Sequence, residues 1–91
     1  MAWEIKFDEA SKKDLAKLDK PVARRIMAFL RERIAVLDDP RSIGEALTGP
    51  KLGEFWKYRV GDYRIISRIE DNTFCILVIR VGNRREVYRT K

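Results

Sequence analysis

Apolar residues in this chain recur at two different periods, and the change between them restricts the fold more than any single motif. Val22, Ile26, Phe29, Leu30, Ile34 and Leu37 stand at three- and four-residue steps, the spacing of an amphipathic helix. After residue 53 the stretches "EFWKYRV", "DYRIISRIE", "TFCILVIRV" and "REVYR" follow a period of two, as half-buried strands do. They are parted by "GD", "DN" and "GN", dipeptides that make tight turns, so four short antiparallel strands joined as a meander are expected. The opening "AWEIKF" is another strand by the same test, with Trp3, Ile5 and Phe7 on one side. Asp8 then offers an N-cap to a short charged helix that keeps Leu15 and Leu18 inside, and Asp19 with Pro21 starts the second helix. Pro40 in "DDPRS" ends that helix, and residues 38–53 read as a loop containing a brief turn. The predicted class is α+β: a small twisted, antiparallel-dominated sheet with an N-terminal strand, two helices packed on one face, and a C-terminal strand meander.

Length and composition set bounds on what such a fold can do. Ninety-one residues make one small domain, 1–91, and 45% hydrophobic residues exclude a disordered chain. The longest apolar run, Phe74 to Ile79, is far short of a membrane span, and no charged-then-apolar leader opens the chain. A soluble, cytoplasmic protein without a membrane partner is expected. Cys75, the only cysteine, lies inside that run and reads as a core residue; there is no histidine. A structural zinc site is therefore not expected, the commonest general base is missing, and no cofactor or metal is implied.

The net charge of +6 is concentrated in one half of the chain. Residues 1–50 hold ten Lys/Arg against nine Asp/Glu, whereas residues 51–91 hold ten against five. Strand alternation puts Lys57 and Arg59 on the side opposite Trp56, Tyr58 and Val60, and separates Arg64, Ile66 and Arg68 from Tyr63, Ile65 and Ile69. The tight turn at Gly61 and Asp62 brings Arg64 beside Arg59, and Arg84 and Tyr88 are candidates for the same surface. A wet sheet face ordinarily interleaves both signs of charge. Between Glu54 and Arg68 the one acid is Asp62, in a turn, so like charges are kept together as a polyanion site would require.

The strand–helix–helix–loop order, then "KYRVGDYRII", then "VIRVGNRREVYR", resembles the RelE/ParE superfamily of toxin–antitoxin toxins over essentially the whole chain, and more narrowly a RelE-type mRNA interferase. "GDYRII" and "VGNRREVY" are the specific part. The resemblance implies a small basic ribonuclease that cuts mRNA in the ribosomal A site and is silenced by a cognate RelB-like antitoxin in a hetero-oligomer. It places the catalytic set on Lys57, Arg59, Arg64, Arg84 and Tyr88. Arg68, Arg85 and Arg89 are expected to bind substrate backbone, and Glu86 to fix one of the arginines. Two departures stand out: Asn83 occupies a position that is histidine in many relatives, and the sequence stops soon after Tyr88.

Metal-free RNA cleavage needs the 2′-OH deprotonated, the phosphorane charge stabilised and the 5′-oxygen protonated as it leaves. Arginines suit the second task, being planar, always charged and bidentate toward phosphate. They are poor proton carriers, which leaves Lys57 and Tyr88 as acid and base in an order the sequence does not fix. With no histidine, such a site depends on the ribosome to orient mRNA for in-line attack. Lys12, Lys13, Lys17, Arg24, Arg25, Arg31 and Arg33 would then meet rRNA phosphates or form ordinary solvated helix faces. Two rivals share these features: a ParE-like toxin that binds DNA gyrase, and a non-catalytic nucleic-acid-binding module. A gyrase binder has no need of the basic set with a terminal tyrosine.

Overall fold

The computed structural model describes residues 3–47 and 55–83. Strand β1 (Glu4–Phe7) leads into α1 (Glu9–Lys17) and α2 (Lys20–Phe29), and α2 continues without a break into a π turn, Leu30–Ile34. A 3-10 turn (Pro40–Ser42) and a short β2 (Glu45–Ala46) precede β3 (Phe55–Val60), β4 (Tyr63–Glu70) and β5 (Cys75–Asn83). The sheet order is β1-β5-β4-β3-β2. β1 runs parallel to β5 while the other pairs are antiparallel, which makes the sheet mixed but antiparallel-dominated.

Local chemistry accounts for the helices. Asp8 caps α1 by accepting the Ser11 N–H on Oδ1 at 2.9 Å, which satisfies one of the free N–H groups of the first turn. Asp19 takes the N-cap position of α2 with Pro21 in its first turn, where a missing N–H costs nothing. Ile26, Leu30 and Ile34 form the inward stripe and are completely buried, each contributing about 1.5–3 kcal/mol. They meet Tyr58, Val60, Ile65, Ile76, Val78 and Val81 from the sheet, with Leu15 and Leu18 packed at the margin.

Four expectations need correction. The second helix does not stay α-helical: the Ala35 N–H reaches back five residues to the Leu30 carbonyl at 2.8 Å. The segment expected as a loop with a brief turn holds that turn at Pro40–Ser42, but β2 adds an edge strand opposite Trp56 and Lys57, and residues 48–53 lie outside the described residues. "DN" is not a two-residue turn; Asp71–Thr73 form a 3-10 turn that ends on Phe74 in the left-handed region, φ 49°. Nor does "GN" turn: Gly82 and Asn83 continue β5, facing Arg64 and Tyr63. The backbone of β4 supplies their ladder partners, which outweighs the local turn preference. A strand over "REVYR" lies outside the described residues. The hairpin at Gly61–Asp62 is as expected, with Gly61 at φ 59°, a conformation that glycine adopts without steric penalty.

One further device holds the sheet. β1 ends at Phe7, opposite Val78, whereas β5 continues to Asn83, so among the described residues the outer edge of β5 lacks a partner strand beyond that point. Asp14 of α1 covers it, accepting the Val81 N–H at 2.9 Å and the Arg80 guanidinium at 2.8 and 3.2 Å. The chain bulges there by one residue, Ile79, between the Ile66–Arg80 and Ser67–Val78 pairs.

Candidate functional site

The ladder fixes where the charges lie. Arg59 faces Arg64 across the β3–β4 hairpin and Lys57 faces Ile66 on the same side, as the tight turn implied. Arg68 shares this face of β4, opposite Phe55 and Leu77, but lies outside the pocket that the other three line.

That pocket has a volume of about 450 Å³, and its charged lining is Arg33, Glu45, Lys57, Arg59 and Arg64. Two aromatic side chains of β3 set its floor and wall. The Tyr58 hydroxyl donates to the Pro40 carbonyl at 2.7 Å, and Trp56 Nε1 donates to the Ile43 carbonyl at 2.8 Å. These bonds draw the 40–46 segment against β3, and Gly44 makes the approach possible. Its φ is 87°, and a Cβ there would stand 2.5 Å from the Lys57 carbonyl and 2.6 Å from Trp56 Nε1. Burial pushes the Tyr58 phenol far above its ordinary value, so Tyr58 stays a neutral hydrogen-bond donor. It is a structural member of the wall.

Arg64 is the most enclosed of the cations, at 9% exposure. Its Nη1 donates to the carbonyls of Gly61 at 3.2 Å and Tyr63 at 3.1 Å, and no carboxylate pairs with it among the described residues. Arg59 is exposed and likewise makes no ion pair among the described residues. Lys57 Nζ lies 3.6 Å from Glu45 Oε1 across the β2–β3 pair. Five donors fixed in a plane beside a second guanidinium make a receptor for an anion with several oxygens.

Glu45 is the residue that sequence reasoning missed. It lies in the stretch with no hydrophobic period, and only the tertiary pairing of β2 with β3 carries it into the site, so no local signal could have found it. Its carboxylate is the one acidic side chain lining the pocket among the described residues. Arg33, read from sequence as a contact for ribosomal RNA or a solvated helix position, also lines it. Arg84, Arg85, Glu86, Tyr88 and Arg89 lie outside the described residues. Arg80 is neutralised by Asp14, which raises its already high pKa through their hydrogen bonds. Among the described residues no group of His, Cys, Asp and Glu is placed to hold a metal ion.

Comparison with known proteins bears on the family and the fold. The family model for the ParE toxin of the type II toxin–antitoxin system parDE matches residues 5–88. Toxin RelG of Mycobacterium tuberculosis is 27% identical over 98% of this chain and 99% of its own length. The mRNA interferase toxin RelE of Escherichia coli is 33% identical over 97% of this chain and 92% of its own. The toxin–antitoxin complex RelBE2 of M. tuberculosis contains a chain of the same fold, with TM-score 0.83, 23% identity, and coverage of 94% of this chain and 95% of that one.

Proposed function

The chain belongs to the RelE/ParE family of toxins of type II toxin–antitoxin systems, and on that premise we propose that it is a ribosome-dependent endoribonuclease cutting mRNA in the A site. The observation that carries this reading is the Arg59–Arg64 pair with Lys57 beside it, three cations on one sheet face around a pocket with a single carboxylate among the described residues. Arg64, held by two backbone carbonyls, presents its remaining donors to the phosphate; Arg59 takes a second oxygen. Together they stabilise the charge of the phosphorane. Glu45, beside Lys57, is the group to accept the 2′-OH proton, and Lys57 is the nearest donor for the departing 5′-oxygen. Arg84 and Tyr88 complete the set, the tyrosine sharing acid–base work with this pair. No step needs a metal.

Cations that bind phosphate do not by themselves align the 2′-OH for in-line attack, so the ribosome supplies that geometry. The name of the E. coli relative, mRNA interferase, supports the substrate class. The complex with which the fold is shared supports a RelB-like antitoxin as partner, an acidic segment that covers the cationic face. The family model's ParE description favours a second reading, inhibition of DNA gyrase. Primer extension on a defined mRNA, with and without ribosomes stalled at an empty A site, separates them. A cut inside the A-site codon that needs the ribosome is expected. Absence of any cut, with inhibition of gyrase supercoiling by the same protein, would replace this reading by the second.

A further inference from the structure

The sheet provides one wall of the pocket, and the opposite wall is helical. Phe29 and Arg33 come from the end of α2 and its π turn. Arg25, one α-helical turn before Phe29, lies with its guanidinium against the hairpin turn: a Cβ on Gly61 would meet Arg25 Nη2 at 3.1 Å. The Gly61 carbonyl in turn accepts from Arg64. Arg25 and Arg64 therefore flank one turn, and Arg33 continues the helical wall beyond Phe29. From Lys20 to Ile34 the chain carries five Lys/Arg and one acid, Glu32.

The π turn explains how Arg33 reaches the site. An α-helix advances about 100° per residue, so positions four apart drift steadily round the axis. A turn closed five residues back, as between Ala35 N–H and the Leu30 carbonyl, rotates less per residue. Arg33 thereby stays near the line of Phe29, with which it lines the pocket, while Leu30 and Ile34 remain completely buried. Arg33 makes no ion pair among the described residues, and its neighbours across the pocket include Lys57, Arg59 and Arg64. Holding it there costs like-charge repulsion that a second anionic group would relieve.

We propose that Arg33, kept at the pocket by the π turn, binds a phosphodiester of the RNA adjacent to the one held by Arg59 and Arg64, so that the strand runs from the helix end onto the sheet cations. The inference rests on the RNA reading of the pocket, and its test does not require cleavage. The probe is a single-stranded RNA oligonucleotide with 2′-O-methyl riboses, which cannot undergo 2′-OH attack. Its affinity for the purified chain is followed by fluorescence anisotropy between roughly 50 and 200 mM salt. Arg33→Gln should lower affinity and flatten the slope of log K against log salt by about 0.7, the value for one phosphate contact to a single strand. Arg24→Gln, on the helix surface by Ala23 and Met27 and away from the pocket, serves as the control and should flatten it less.

A neutral methylphosphonate placed at each linkage in turn should weaken wild-type binding at a linkage where Arg33→Gln shows no further loss. Equal slopes for Arg33→Gln and Arg24→Gln, or additive effects of Arg33→Gln and every methylphosphonate, would overturn the inference. Failure of the catalytic reading looks different: the slope change persists while no cut forms on stalled ribosomes. If the oligonucleotide does not bind at all, the inference falls, while the ribosome-dependent reading is judged by primer extension alone.

Discussion

Arg80 and Arg64 stand two residue pairs apart in the β4–β5 ladder, Arg80 facing Ile66 and Arg64 facing Gly82, yet their surroundings are opposite. Arg80 lies at the seam between α1 and β5, where Asp14 takes two of its donors and also accepts the free Val81 N–H. Arg64 lies at the pocket, more enclosed, with two backbone carbonyls and, among the described residues, no carboxylate. A cation with its own carboxylate is a finished structural contact. Cations gathered at a pocket with one shared acid among the described residues are the group the proposed reading assigns to a ligand.

The largest test of this contrast is Arg64→Ala. Single-turnover cleavage on stalled ribosomes should fall by roughly 10²–10³-fold, as for loss of one donor to a developing oxyanion. Stability should drop by only about 1–2 kcal/mol, because the bonds lost run from the guanidinium to carbonyls at a turn. Activity within a few-fold of wild type, in a protein that still folds, would remove the pocket from the mechanism. Asp14→Ala should behave in the reverse sense. It strands both the Arg80 guanidinium and the Val81 N–H, and a urea titration should show a loss of about 2–3 kcal/mol. Arg80→Ala should cost less, about 1 kcal/mol, since Asp14 keeps its backbone partner. Equal losses from the two substitutions would mean that the bond to Val81 contributes little.

The contrast also shows what sequence could and could not reveal. Period and capping located α1, α2 and the β3–β4 hairpin, because those features are local: Asp8 reaches Ser11, and Gly61 fixes the turn that places Arg59 opposite Arg64. The seam was hidden, because Asp14 and Arg80 are far apart in the chain and meet only once β1 pairs in parallel with β5. Glu45 was hidden for the same reason. Its strand exists because Tyr58 and Trp56 hold Pro40 and Ile43, and neither tie leaves a trace in local composition. "GN" misled because a strand with ladder partners overrides a turn-prone pair. The π turn has no signal of its own in a stripe whose apolar spacing suits an ordinary helix.

Gly44→Ala probes the pocket wall itself. The new Cβ would collide with the Lys57 carbonyl and Trp56 Nε1, and alanine at φ 87° is strained wherever it sits. Loss of about 2 kcal/mol is expected, with the 40–46 segment displaced from β3. Cleavage should fall further than stability alone explains, because Glu45 moves with the segment. A cut rate that tracks only the folded fraction would mean that Glu45 has no part in the chemistry.

The smallest effect belongs to a third arginine, satisfied like Arg80 but exposed like Arg59. Arg41 donates to both oxygens of Asp71 at 2.9 Å each, joining the segment before β2 to the β4–β5 connection. That hydrogen bonding holds the Asp71 carboxyl below its ordinary value of 3.8. A carboxyl whose folded pKa is lowered stabilises the fold above its unfolded pKa and loses that contribution as pH falls through the folded one. Wild type should therefore exceed Asp71→Asn in urea midpoint near pH 6, by less than Asp14→Ala costs, and the two should converge once pH is well below 3.8. The gap should shrink in high salt, because an exposed pair is screened. A gap that persists unchanged at low pH would mean that Asp71 acts through its shape, and that charge pairing anchors this protein at the α1–β5 seam but not here.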